Sequence, residues 1–119
     1  MMASVPGMRV RVVRSHAVPS RPPLVLVPGD QVEVGEGSTE WPAFVFVTAK
    51  HGEGWVPERY FTPDRPRAVT IVRYDTTELA ASKGDVLLVV EQDDESGWWW
   101  CRANSGDVGW VPIEVLEIE

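Results

Sequence analysis

Three kinds of feature are scarce in this chain, and each scarcity excludes a class of protein. Among the 119 residues there is one cysteine, so no internal disulfide can form, which favours a reducing compartment. Two histidines and one cysteine are not a ligand set for a metal, and we predict no metal and no other cofactor. No secretory signal and no run of about 18 apolar residues occurs, so we predict a cytoplasmic protein with no membrane partner.

Positive charge is also in short supply. The chain has 11 basic and 18 acidic side chains, a formal net charge of −7. Residues 1–63 carry six of each sign, whereas residues 64–119 carry five basic and twelve acidic side chains. A nucleic acid backbone needs a basic surface, so we predict no nucleic acid partner. The acidic second half instead favours a basic partner.

The sequence also lacks the residue sets that catalysis needs. A nucleophilic cysteine requires a paired base and an exposed thiolate. The histidines, His16 and His51, both lie in the first half of the chain, whereas the cysteine is Cys101. No glycine-rich loop leads from a strand into a helix, so nucleotide binding has no support. We therefore predict that the protein is not an enzyme.

Tryptophan, by contrast, is concentrated in the stretch Gly97-Trp98-Trp99-Trp100-Cys101-Arg102. Side chains of a strand alternate between two faces, so Trp98 and Trp100 share one face while Trp99 and Cys101 share the other. Cys101 is small and apolar, which predicts that its face is the inner one. Trp98 and Trp100 are then expected to point outward.

The chain contains an internal repeat with an offset of 55 residues. The offset relates Trp55-Val56-Pro57 to Trp110-Val111-Pro112, Gly29-Asp30 to Gly84-Asp85, and Leu24 to Leu79. Phe44-Val45-Phe46-Val47 stands before the first of these motifs as the tryptophans stand before the second, with the phenylalanines predicted outward. Three anchors at one offset indicate duplication of a unit of about 55 residues.

Both repeats consist of short strands separated by turn signals, and neither has a sustained helical period. This pattern is typical of all-β domains, and five short strands in about 55 residues most naturally close into a small barrel. We predict an all-β protein with two tandem five-stranded barrels, at residues 8–62 and 67–119, joined by a short proline-containing linker at 63–66. A unit of about 60 residues is marginal alone, so we expect the barrels to pack together.

Repeat two resembles the Src-homology 3 (SH3) domain. Four segments resemble that family's motifs in the right order: Ile71-Val72-Arg73-Tyr74-Asp75, Glu78-Leu79-Ala80-Ala81-Ser82-Lys83-Gly84-Asp85, Trp98-Trp99-Trp100-Cys101-Arg102 and Gly109-Trp110-Val111-Pro112. Ile113-Glu114-Val115 resembles the closing Ser-Asn-Tyr turn. The tandem form, with Gly-Trp-Val-Pro in each copy, is similar to small bacterial proteins of this class.

The resemblance implies a groove for extended, proline-rich peptides, with acidic loops that capture an arginine. By position, repeat two supplies Tyr74, Trp98 and Pro112, with loop carboxylates at Asp93, Asp94 and Glu95. Repeat one supplies Phe44, Pro57 and Tyr60.

Neither repeat has the family's full groove. Thr76 and Val115 replace two tyrosines in repeat two. Ser15 and His16 stand at the tyrosine–aspartate pair of repeat one.

Two interpretations of the aromatic residues are open. One is a protein- or peptide-binding module whose ligand, a basic or proline-containing segment, lies mainly on repeat two. The other is a structural protein whose aromatics serve packing, docking on a larger complex or self-association. The stretch Pro19-Ser20-Arg21-Pro22-Pro23 resembles a proline-rich ligand, although a stiff loop is favoured. The candidate binding residues are Tyr74, Trp98, Trp100, Trp110, Pro112, Asp93, Asp94, Glu95, Phe44, Trp55, Pro57 and Tyr60.

Overall fold

The computed structural model describes residues 7–119, and this part of the chain is all-β, with antiparallel sheets and no α-helix, consistent with an SH3-like fold. The strands are β1 (Met8–Val12), β2 (Val25–Leu26), β3 (Gln31–Gly37), β4 (Phe44–Ala49), β5 (Gly52–Pro57), β6 (Arg67–Val69), β7 (Tyr74–Asp75), β8 (Val86–Asp93), β9 (Trp98–Arg102), β10 (Val108–Pro112) and β11 (Leu116–Ile118). Two 3₁₀ turns, Glu58–Tyr60 and Ile113–Val115, follow β5 and β10.

Tertiary contacts divide the chain into two compact units. The described part of unit 1 consists of residues 7–20 and Thr77–Glu119, whereas unit 2 is the continuous segment Arg21–Thr76. Unit 2 is therefore inserted between two segments of unit 1. These boundaries differ from the predicted barrels at 8–62 and 67–119, because each predicted barrel takes its first strand from its own repeat.

In unit 1 the sheet order is β10-β9-β8-β1-β11. Strand β1 lies between β8 and β11 in this sheet, where Val10 is opposite Leu87 of β8 and Ile118 of β11. Val10 and Val12 are fully buried in the core of the unit. The other buried members of this core are Leu79, Ala81, Leu87, Val89, Trp99, Cys101, Val111 and Val115.

Unit 2 has the sheet order β5-β4-β3-β6, and β2 pairs separately with β7. Ala68 of β6 lies opposite Val32 of β3 and is buried. Val32 and Leu87 are related by the repeat offset, so β6 has the position in unit 2 that β1 has in unit 1. The first strand of each repeat thus pairs within the sheet of the other repeat.

The same exchange continues into the segment after each first strand. His16 bridges to Ala81 in unit 1, and Tyr74 pairs with Leu26 in unit 2. Ala81 and Leu26 are equivalent by the 55-residue offset, so His16 occupies the position of Tyr74. The sequence comparison placed Ser15 at that position, so the predicted alignment of repeat one was wrong by one residue.

The inner face of β9 is as predicted, but the outer face is not. Cys101 is fully buried and Trp99 is buried beside it in the core, which confirms the assignment of the inner face. Trp98 is only 9% exposed and Phe44 only 6%, so the expected outer face is covered, and not open to solvent, at these two positions. Alternation along a strand decides which residues share a face, but it does not decide whether that face stays open.

Candidate functional site

The aromatic cluster of unit 1 is built around Trp98. This residue lies opposite Pro112 across the β9–β10 ladder. The His16 ring packs against the Trp98 ring in a T-shaped arrangement, with centroids 5.4 Å apart. His16 Nε2 is in turn 2.9 Å from Glu78 Oε1, and both side chains are partly buried. The cluster therefore brings together the aromatic rings of Trp98 and His16, the proline Pro112 and the carboxylate of Glu78.

An acidic turn precedes Trp98. Asp93 is buried, whereas Asp94 and Glu95 are exposed. The turn is held by Ser96, whose hydroxyl donates to the Asp93 carbonyl at 3.2 Å and accepts from the Trp98 backbone N–H at 3.3 Å. Asp94 Oδ1 accepts a hydrogen bond from Trp99 Nε1 at 2.8 Å. Of the three carboxylates predicted to steer a ligand, two therefore face solvent.

Trp100 and Trp110 form a second aromatic pair in unit 1, with ring centroids 5.2 Å apart in a T-shaped arrangement. Trp110 is buried and Trp100 half-buried. The backbone of Trp110 donates to the Thr77 carbonyl at 2.9 Å and accepts from the Leu79 N–H at 3.1 Å. Trp110 is thus held at the junction of β10 with residues 77–79, which favours packing over ligand contact at this position.

In unit 2 the structure brings together a different aromatic set. Tyr74 and Tyr60 have ring centroids 5.1 Å apart, and the Arg59 guanidinium lies 4.7 Å from the Tyr60 centroid. Phe44 lies opposite Pro57, and both are buried. Tyr74, which was assigned by position to the site of Trp98 and Pro112, therefore packs in unit 2 beside a residue of repeat one. The reason is that the segment carrying Tyr74 pairs with β2.

The most exposed aromatic surface of unit 2 lies on β4 and β5. Trp55 is 39% exposed and packs against Phe46 in a T-shaped arrangement, with ring centroids 5.2 Å apart. The Arg21 guanidinium lies over the same Phe46 ring, 5.3 Å from its centroid. Phe46 and Trp55 are the counterparts of Trp100 and Trp110 in unit 1.

Four residues at these sites were missing from the prediction. His16 and Glu78 complete the Trp98 cluster, and Phe46 and Arg21 complete the Trp55 surface. For Phe46 the signal was its outward phase on the strand, and for Arg21 it was the surrounding proline-rich stretch. His16 and Glu78 carried no such signal, because their meeting depends on the pairing of His16 with Ala81.

The remaining chemical candidate is Cys101. Burial raises the pKa of its thiol from 9.0 to about 12, because an ionised thiolate is poorly solvated in the core. A thiol that stays protonated at neutral pH is a poor nucleophile. Within residues 7–119, no cluster of three or more histidine, cysteine, aspartate or glutamate side chains is arranged to hold a metal. The same residues include no helix long and apolar enough to cross a membrane.

Comparison with known families adds one match. Residues 69–119 match the family model of the variant SH3 domain. Such domains are protein-interaction modules and are generally not catalytic. The match begins at the end of β6 and includes β7, so its first residues lie in unit 2 and residues 77–119 lie in unit 1. No curated protein and no solved structure matches the chain.

Proposed function

We propose that this chain is a non-enzymatic interaction module of two SH3-like barrels, and that unit 1 binds an extended, basic or proline-containing segment of a partner protein. The second barrel is inferred from unit 2, whose sheet order β5-β4-β3-β6 is that of β10-β9-β8-β1 in unit 1. Each unit also has a 3₁₀ turn directly after a Trp-Val-Pro motif.

The observation that carries the binding proposal is the cluster around Trp98 in the unit that holds most of the SH3 match. His16 and Pro112 flank Trp98, and Glu78 lies beside His16. Trp98 is only 9% exposed, so a ligand contacts this small area together with the partly buried His16–Glu78 pair. The exposed carboxylates of Asp94 and Glu95 supply the negative potential that attracts a cationic segment.

The structural interpretation is the second candidate, and the burial of the aromatics favours it. Trp98, Trp110 and Phe44 are each less than 10% exposed. Large aromatics that are already buried stabilise the fold and leave little area for a ligand. On this interpretation the chain docks on a larger complex or self-associates. The cytoplasmic location and the absence of a nucleic acid partner stay predictions from composition and charge.

Titration with a library of arginine- and proline-containing peptides tests the binding proposal. Removing an aromatic anchor typically costs about 2 kcal/mol, so Trp98→Ala should weaken binding roughly thirtyfold. Glu95→Gln changes an exposed side chain, and it should mainly slow association at low salt. The salt effect should disappear near 1 M salt, where the screening length is about 3 Å.

Two controls separate binding from packing. Thermal unfolding of each variant shows whether the change acts through the fold. Arg102→Ala alters an exposed side chain at the other end of β9, the strand that carries Trp98, without removing negative charge. If no peptide binds the wild-type protein, or if folded Trp98→Ala binds as well as wild type, the structural function takes first place.

A further inference from the structure

The outer face of unit 1 has a row of three side chains that crosses three neighbouring strands. Leu88 of β8 lies opposite Arg9 of β1 on one side and opposite Arg102 of β9 on the other. Cross-strand partners share a face of the sheet, and all three residues are exposed. Neighbouring strands are about 4.8 Å apart, so the two arginines flank Leu88 with Cα atoms about 10 Å apart. We call these residues the Arg9–Leu88–Arg102 row.

Unit 2 has an equivalent row of different chemistry. Glu33, which the 55-residue offset relates to Leu88, lies opposite Arg67 of β6 and Thr48 of β4. In unit 2 a carboxylate therefore stands beside the cation, whereas in unit 1 a leucine stands between two cations. The duplicated sheet thus shows the negative charge that the row of unit 1 lacks.

The carboxylates around the row leave both arginines accessible to a further anion. Within residues 7–119, Arg102 forms no ion pair, not even with Glu91, an exposed carboxylate on β8. Arg9 Nε lies 3.7 Å from Glu119, whose carboxylate is closer, at 3.1 Å, to the Arg11 guanidinium. The Arg9 side chain is 66% exposed, so a second carboxylate can reach its guanidinium.

The centre of the row is apolar and open to solvent. Leu88 is 37% exposed, and Val90 on the same strand is 39% exposed, whereas Val89 between them is fully buried. Leu88 and Val90 therefore both lie on the outer face. A partner that covers them removes apolar area from water, and the flanking arginines select a partner of negative charge.

We propose that the Arg9–Leu88–Arg102 row binds an acidic segment of a partner protein, in which an apolar side chain packs on Leu88 and a carboxylate on either side of it pairs with one arginine. Side chains on one face of an extended segment recur about every 7 Å, so carboxylates two residues before and two residues after the apolar residue reach the arginines. A guanidinium holds a carboxylate through two parallel hydrogen bonds, which fixes the orientation of the segment.

This site is separate from the one proposed around Trp98. Arg102 lies at the other end of β9 from Trp98, and the row takes a ligand of the opposite charge. An acidic ligand for the row and a basic ligand for the Trp98 cluster can therefore be tested independently, and the failure of one proposal leaves the other standing.

Calorimetric titration of the full chain with the capped synthetic peptide Gly-Glu-Ser-Leu-Ser-Glu-Gly tests the proposal. Leu88→Glu gives unit 1 the carboxylate that unit 2 has at Glu33, so repulsion should weaken binding at least about tenfold. Leu88→Gln has the same length without the charge and should weaken binding only about two- to fivefold, through the lost apolar contact. Arg102→Ala should weaken binding about three- to fivefold, and this loss should shrink as salt is added.

The matched control is Arg73→Ala, which removes the same charge from an exposed arginine of unit 2 and should leave the affinity unchanged. The peptide with glutamine in place of both glutamates should not bind measurably. The site is overturned if wild type does not bind the acidic peptide, if Leu88→Glu binds it as well as wild type, or if Arg102→Ala and Arg73→Ala lose equally. Dimerisation that rises with concentration and disappears in Leu88→Glu would overturn the partner protein and assign the row to a second copy of this chain.

Discussion

His16 packs edge-on against Trp98, with ring centroids 5.4 Å apart, although the two residues belong to different sequence repeats. They meet because the first strand of repeat one pairs with β8 of repeat two. In unit 2, Tyr74 of repeat two likewise packs against a ring of repeat one, that of Tyr60. Each aromatic cluster therefore draws on both repeats, and a substitution in one repeat alters the site of the other.

The strand exchange predicts which engineered disulfide forms. Arg11 of β1 lies opposite Glu117 of β11 in unit 1. Paired residues of antiparallel strands have Cα atoms about 4.5–5.5 Å apart, within the range that a disulfide spans. Arg11→Cys combined with Glu117→Cys should therefore form an intramolecular disulfide under mild oxidation, detected by mobility on a non-reducing gel.

The matched control is Arg11→Cys combined with Gln31→Cys. If each repeat kept its own first strand, these two positions would be neighbours, because Arg11 is equivalent to Val69 and Val69 lies opposite Gln31. This second pair should stay reduced. A disulfide in the second pair but not in the first would show that the strands are not exchanged in solution.

A close approach of two backbones predicts a strong effect of Gly109→Ala. A Cβ atom at Gly109 would lie 2.7 Å from backbone atoms of Glu78 and Leu79, which cannot move without breaking the Leu79–Trp110 hydrogen bond. We expect a loss of about 2 kcal/mol or more in the free energy of unfolding, measured by urea denaturation.

The repeat offers its own control in Gly54→Ala. A Cβ at Gly54 would meet its nearest neighbour, the Thr76 methyl group, at 3.5 Å, an ordinary contact distance. This variant should stay within about 1 kcal/mol of wild type. Equal losses in the two variants would contradict the close packing of β10 against residues 77–79.

Asp94 is predicted to stabilise the fold through Trp99. Its carboxylate accepts the Trp99 Nε1–H bond at 2.8 Å, and the Trp99 ring is buried in the core. Asp94→Ala should cost about 1–2 kcal/mol, because it leaves the indole N–H without this acceptor. Asp94→Asn retains an acceptor oxygen and should cost less. Urea unfolding followed by tryptophan fluorescence measures both, and an alanine variant as stable as wild type would contradict the prediction.

The buried thiol of Cys101 predicts a loss of stability in alkaline solution. Burial raises its pKa from 9.0 to about 12, so between these values the thiol is ionised in the unfolded chain and protonated in the folded one. The folded state then binds more protons, and the free energy of unfolding falls as pH rises, by about 1.4 kcal/mol per pH unit.

Comparison with Cys101→Ala isolates this effect from other alkaline titrations. Urea unfolding near pH 8 and near pH 10 should show wild type losing about 1.4 kcal/mol more than the variant between the two conditions. In native buffer at neutral pH, a thiol reagent should label wild type slowly, and rapidly only after denaturation. Parallel losses in the two proteins would mean that the thiol is accessible in the folded state.

The repeat and the alternation of residues predicted much of the local structure. The 55-residue offset, which is visible in the sequence alone, relates β3 to β8, β5 to β10 and the two 3₁₀ turns. The inner position of Cys101 followed from its size and phase. These features depend on residues close in sequence, and for such features the pattern of side chains is informative.

The exchange of first strands could not be predicted in this way. β1 presents Val10 and β6 presents Ala68 to equivalent partners, Leu87 and Val32, so the same alternation of buried and exposed residues satisfies either pairing. A side-chain pattern specifies which face of a strand is buried, but not which of two similar sheets receives the strand. The position of Tyr74 and the packing of His16 against Trp98 depend on that choice, so the side-chain pattern alone could not place either residue.

The inserted position of unit 2 determines what happens when the chain is cut or when one repeat is deleted from its gene. A cut at residues 63–66 would leave one piece with β1 of unit 1 and another with β6 and β7 of unit 2, so each piece holds a strand that the other needs. Two such pieces should therefore restore the fold when they are produced together. Loss of one repeat by gene deletion would, for the same reason, leave the other repeat without the first strand that its sheet uses here.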